Sequence, residues 1–60
     1  MILVHNGIQF ETDKEILFIF EDNPVWVPKS IIEYFDYSEI DIPIWFVRQH
    51  NLVDYERSQL

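Results

Sequence analysis

The sequence predicts an α+β fold: a small, strongly curved antiparallel β-sheet wrapped round one aromatic core and sealed by a C-terminal helix. Three observations carry this expectation. Ten of the 60 residues are aromatic, and there is no cysteine to staple so short a chain. The apolar runs are brief, rich in β-branched and aromatic residues, and separated by turn-forming residues. Pro43 then introduces an apolar segment with helical spacing. Sixty residues make one domain, and a chain of that size hides only about 60% of its unfolded surface. Many such domains rely on disulfides, metals or oligomers. Here the remaining routes are close packing of large rings and self-association.

The elements follow in order. Residues 2–10 contain Asn6-Gly7, both of which tolerate positive φ, so this segment is either a tight hairpin or one bent strand. Residues 11–14 form a polar loop. Residues 15–21 centre on Ile16-Leu17-Phe18-Ile19-Phe20, a continuous apolar run that reads as a strand buried on both faces. Asp22-Asn23-Pro24 is a turn, and residues 25–27 are the partner strand, which Pro28 ends. Ser30 and Glu33 have the spacing of a capping box, which gives a helical turn through Phe35, whereas β-branched Ile31-Ile32 argue for a strand instead. Asp36-Tyr37-Ser38 is a turn. Residues 39–42 alternate polar and apolar and read as a half-buried strand.

After Pro43, a helix places Ile42, Trp45, Phe46 and Gln49 on one face, with Ile44 and Val47 beside it. Asn51 and Leu52 close the helix. The domain spans residues 1–53. Residues 54–60 read as a polar tail that frays, although Tyr55 can dock. Short strands curling round one core suggest a mini-barrel of SH3 or OB type. Phe18, Trp45 and Phe46 are expected in its core, and Trp26 is either a core filler or, on an outer strand face, a contact residue or dimer anchor.

Trp26-Val27-Pro28-Lys29-Ser30-Ile31, followed by Ile40-Asp41-Ile42-Pro43-Ile44-Trp45, resembles a recurring family of small phage and prophage proteins. Its pattern is a strand ending W-hydrophobic-P-K-S, then hydrophobic-x-I-P-x-W at a helix start. The resemblance covers residues 15–52. It departs after Trp45, where the family helix is more charged and ends at glycine, whereas this one reads Phe46-Val47-Arg48-Gln49-His50-Asn51. The resemblance implies a phage origin and a fold, and it assigns no catalytic residue.

Eleven acidic residues against four basic ones give a net charge of −7. Such a chain repels nucleic-acid backbone, which is bound by clustered Lys and Arg, and it favours basic partners. Hydrophobic residues make up 48% of the chain, too many for a disordered acidic tail. Met1-Ile2-Leu3-Val4 lacks a basic leader region and is broken by His5-Asn6-Gly7, so no signal peptide is expected. No apolar run approaches the ~18 residues of a membrane span. The expectation is a soluble protein of the host cytoplasm that binds neither membrane nor, directly, nucleic acid.

No enzyme chemistry is expected. His5 and His50, the only imidazoles, carry no zinc-ligand spacing even with Asp54. Ser30 with His50 and Asp54 lacks the glycine-rich setting of a nucleophile. No metal, cofactor or catalytic residue is therefore assigned. The candidate partner-binding residues are Glu33, Tyr34, Asp36, Tyr37, Glu39, Asp41 and Trp26. Glu39 and Asp41 alternate on one strand face, which places carboxylates about 6.6 Å apart, close to the spacing of phosphates along a nucleic-acid strand, and the two tyrosines add contact area. Lys29 and Arg48 read as ordinary surface cations.

The function expected is that of a small phage-type acidic protein that inhibits a host nucleic-acid-handling defence machine, anti-CRISPR-like or similar, by occupying its basic surface as a nucleic-acid mimic. The alternative is a non-catalytic accessory module that forms a homodimer or docks on a phage replication or packaging protein.

Overall fold

A computed structural model describes residues 1–57. Six strands and one short helix appear in chain order. They are β1 (Ile2–Val4), β2 (Ile8–Glu11), β3 (Glu15–Phe20), β4 (Asn23–Pro28), β5 (Tyr34–Phe35), β6 (Glu39–Asp41) and α1 (Ile44–Gln49). Single 3₁₀ turns occupy Lys29–Ile31 and Val53–Tyr55.

The strands form two separate three-stranded antiparallel sheets, ordered β2-β3-β4 and β1-β6-β5. This corrects the strongly curved mini-barrel expected from the sequence. A barrel needs an unbroken ladder from strand to strand round the whole perimeter. Here the ladder breaks at Asn6-Gly7. Gly7 has φ 130°, a backbone setting that L side chains rarely adopt. The chain uses it to leave one sheet and enter the other, so β1 pairs with β6 and β2 pairs with β3. The free edges of β2 and β5 stay unjoined.

The β3–β4 hairpin matches its sequence signal. Its register runs from Glu15 opposite Pro28 to Phe20 opposite Asn23. The turn is tighter than expected, because Glu21-Asp22 alone make it and Asn23 and Pro24 already belong to β4. Glu21 adopts φ 58°, and its N–H donates to Asn6 Oδ1 at 2.7 Å, so a side chain from the sheet crossover caps the hairpin. β3 is not buried on both faces. Ile16, Phe18 and Phe20 point inward and are fully covered, whereas Leu17 and Ile19 are half-buried on the outer side.

The core joins Leu3 and Ile40 of one sheet to Ile16, Phe18, Phe20, Val25 and Val27 of the other, with Ile42, Phe46, Val47 and Leu52 closing it. Pro43, extended at φ −61° and ψ 146°, precedes α1. The helix ends in a Schellman arrangement: Asn51 is left-handed at φ 58°, and the Leu52 N–H reaches the Val47 carbonyl at 2.8 Å. Leu52 is thereby fixed in the core.

The helix is rotated from the expected face. Phe46 and Val47 are buried, while Trp45 is 54% exposed and meets Phe46 edge-on at 5.8 Å. At six residues the helix shows the small core barely one face, and the adjacent pair Phe46-Val47 fills it. Trp26 is 41% exposed on the outer face of β4, so neither tryptophan is a core filler.

The Ser30–Glu33 capping box is absent. Pro28 precedes the turn with no side-chain cap, the Ile32 N–H bonds to the Lys29 carbonyl, and the chain then enters β5. Neither expected form is present as such: the helical turn stops at Ile31 instead of running through Phe35, and the strand starts at Tyr34, after Ile31-Ile32.

Residues 54–57 of the expected tail lie along β1. Leu3 bridges to Glu56, the Arg57 N–H donates to the Ile2 carbonyl at 2.9 Å, and Tyr55 packs on Phe20 at 5.4 Å between ring centres. Residues 58–60 lie outside the described residues.

Candidate partner-binding surface

The acidic residues singled out from the sequence are Glu33, just before β5, Asp36 in the β5–β6 turn, and Glu39 and Asp41 of β6. Pairing of Tyr34 with Asp41, and of Ile2 with Asp41, puts these three residues on one side of their sheet. Glu39 lies on the same side, opposite Val4, because inward-pointing Ile40 separates it from Asp41. Tyr37 sits at the tip of the turn and is 89% exposed.

Three of the four carboxylates are engaged within the chain. Asp36 organises the turn: its Oδ1 accepts the Ser38 N–H at 2.9 Å and the Glu39 N–H at 2.8 Å, and its Oδ2 accepts the Tyr34 hydroxyl at 2.8 Å. These donors hold the Asp36 carboxyl below the usual carboxylate range, the Ser38 amide contributing most, then the Tyr34 hydroxyl. The same contact raises the Tyr34 hydroxyl, first through its hydrogen bond to Asp36 and then through the Asp36 charge. Glu39 meets Arg57 at 3.5 Å, and Asp41 meets the Met1 amino group at 3.3 Å. Glu33 is exposed at the start of β5.

Trp26 stands apart from this group. It lies beside Leu17, which in turn lies beside Phe10, so one outward row crosses all three strands of the other sheet. Phe10 is 65% exposed.

His5, which the sequence leaves without zinc-ligand spacing, is the buried polar joint between the sheets. It is 3% exposed. Its Nδ1 accepts the Gly7 N–H at 3.0 Å, which places the ring proton on Nε2, facing the Asp36 carbonyl at 2.7 Å. Phe18 meets the ring edge-on at 4.8 Å. The signal for His5 was its two-residue spacing from Leu3, which puts both on one strand face. Lys29 was also undervalued: its Nζ reaches Glu11 Oε2 at 2.6 Å and ties the end of β4 to the end of β2.

His50, just past the end of α1, stacks on Phe46 at 4.1 Å, and Ser30 is exposed with no side-chain cap. Among the described residues, no three His, Asp or Glu side chains come together as a set of metal ligands. No helix there is long and apolar enough to cross a membrane.

An open cleft of about 420 Å³ lies where the two sheets fail to close. Glu11, Ile16, Lys29, Ile32, Glu33, Tyr34 and Phe35 line it. Comparison with protein-family models, curated proteins and solved structures returned no match.

Proposed function

We propose that the chain is a non-catalytic acidic binding domain that occupies a basic, nucleic-acid-handling surface of a protein partner, in the manner of a phage-type inhibitor of host defence. The observation that carries this reading is the charge: eleven acidic side chains against four basic ones on a folded frame. Tyr37 and Tyr34, exposed beside the β5–β6 turn, provide aromatic contact area next to that charge. The phage setting is what the sequence resemblance of residues 15–52 implies.

The engagement of Asp36, Glu39 and Asp41 changes how the reading is tested. From sequence, Asp36 and Glu39 are the natural pair for charge reversal, and Glu33 would be spared as a helix cap. The hydrogen bonds invert that choice, since replacing Asp36 removes the anchor of a turn, whereas Glu33 caps nothing. The experiment is capture of a partner from host lysate, followed by affinity measurement with the Glu33→Lys protein at low and high salt. The captured protein should be basic, should lose affinity steeply as salt rises, and should release its nucleic acid when the domain is added. Binding that ignores salt and leaves the partner's nucleic-acid complex intact would sink the inhibitor reading.

A second reading rests on a separate observation, the exposed row Phe10–Leu17–Trp26. An accessory module that self-associates or docks through an apolar face would use that row. Loss of partner binding in Trp26→Ala with no effect of Glu33→Lys would favour it.

A further inference from the structure

We infer that the cleft between the free edges of β2 and β5 receives an extended, lysine- or arginine-bearing segment of a protein partner, with one apolar side chain of that segment seated against Phe35 and Ile16. The inference deepens the proposed function and rests on its premise of a basic partner. It adds the place and the form of the contact.

Three features of the cleft specify this occupant. The first is apolar. Phe35 pairs with buried Ile40, so its side chain points to the inner side of its sheet, yet it remains 41% exposed. It meets Phe18 of the opposite sheet edge-on at 5.6 Å, and much of the residue stays uncovered. Ile16, almost fully buried, forms the floor and Ile32 a wall. An inward-facing aromatic left half bare next to a core residue is a seat for one apolar side chain.

The second feature is the backbone. The Asp36 N–H bonds to the Glu39 carbonyl at 2.9 Å, which makes Phe35 and Ile40 a pair that does not exchange hydrogen bonds. The Phe35 amide and carbonyl therefore point away from β6, toward the unpaired edge. An extended segment can pair there, as strands add to open edges in peptide recognition. Each alternate side chain of such a segment then points to the same side.

The third feature is charge. The rim carries two carboxylates, Glu11 and Glu33, against one ammonium, Lys29. Lys29 is already held by Glu11 at 2.6 Å, which leaves the exposed Glu33 carboxylate to meet an incoming cation. The net charge of −7 draws a basic segment and opposes a second copy of the chain.

The test uses the full chain and a blocked heptapeptide of alternating lysine and leucine, with a lysine–serine heptapeptide as comparison. Binding is followed through backbone amide chemical shifts. The largest shifts should fall on Ile16, Ile32 and Phe35, and the lysine–serine peptide should bind about tenfold more weakly or worse. Glu33→Lys should weaken binding by about tenfold. Asp54→Lys makes the same change in net charge at a surface that does not line the cleft, and it should leave affinity within about twofold. Equal losses in the two variants, or shifts spread over the acidic surface, would show attraction by net charge only. That result would overturn the cleft while leaving the broader binding reading standing. Shifts at the cleft amides that grow with protein concentration alone would identify a second copy as the occupant and would equally overturn the proposal. Absence of any peptide binding would do the same, whereas the broader reading is decided by the salt and competition behaviour of the captured partner.

Discussion

Two β-hairpins of this molecule, β3–β4 and β5–β6, are built on different physics. The β3–β4 hairpin has six residues in each strand and a register that runs its whole length. Its inner face is an apolar ladder of Ile16, Phe18, Phe20, Val25 and Val27, and burial of that ladder is what holds it. The β5–β6 hairpin pairs only Tyr34 and Phe35 with Asp41 and Ile40. Two pairs form no independent hairpin. It is held instead by polar bonds: Asp36 binding the amides of its own turn, Tyr34 reaching over to Asp36, and His5 donating to the Asp36 carbonyl from the neighbouring strand. Apart from Trp26 on β4, the candidate partner-binding residues sit on or directly beside this second hairpin, so the acidic surface proposed to act rests on the less apolar and more local set of interactions.

The comparison breaks most severely at Phe18. This residue is fully buried and its ring touches His5, Phe20 and Phe35, which ties the apolar hairpin to both other parts. Phe18→Ala should cost about 3–5 kcal/mol, comparable with the whole stability of a marginal domain. The expected outcome is loss of the cooperative thermal transition. A variant that still melts sharply near the parent temperature would show that the two hairpins do not share one core.

A smaller effect separates the hairpins. His5→Phe keeps a ring against Phe18 but removes both nitrogens, leaving the Gly7 amide and the Asp36 carbonyl without that partner. Each such loss in a buried place costs about 1–3 kcal/mol. Hydrogen exchange should quicken at Asp36 and Glu39, whose amides close the β5–β6 turn, well before it quickens in β3. Uniform acceleration across both hairpins would contradict a polar joint that acts locally.

The finest distinction comes from pH. The Asp36 carboxyl lies below its usual range in the fold, so its contribution is present above the usual carboxylate pKa and is lost as pH falls through the folded value. The Tyr34 hydroxyl lies above its ordinary value of 10.0, so its contribution is present below that pH and is lost as pH rises through the folded value. Tyr34→Phe should therefore lower stability slightly across the neutral plateau, where both contributions are present, and converge with the parent at both ends. The loss is small because Tyr34 is exposed and Asp36 only half-buried. Melting temperature measured from pH 3 to 11 on parent and variant checks this, and parallel profiles would speak against the contact.

The apolar hairpin was legible before any coordinates. The run from Ile16 to Phe20, the partner Val25-Trp26-Val27 and the terminator Pro28 define strands by local chemistry. The same holds for Asn51 and Leu52 at the helix end, where left-handed backbone and an apolar closure go together in sequence. The acidic turn was found for its charge, but the role of Asp36 as its anchor depends on where Tyr34 and the amides of Ser38 and Glu39 point. The error at Trp45 has a plain cause. Helical spacing identifies a stripe, and in six residues the stripe is too short to tell which adjacent pair faces inward.

The sequence by itself determined one small acidic α+β domain, its most regular hairpin, the strand at Glu39–Asp41 and the start and stop of the helix, because each of these depends on neighbours within a few residues. Tertiary structure alone decided that β1 and β2 part company at Gly7, that β1 pairs with β6 thirty-seven residues on from Ile2 to Glu39 in sequence, and that the two sheets leave a cleft instead of closing. It also decided which carboxylates are occupied and that His5 is buried as a joint. Pairing between distant strands is set by how all the apolar surface can be hidden at once, and no local window of residues contains that constraint.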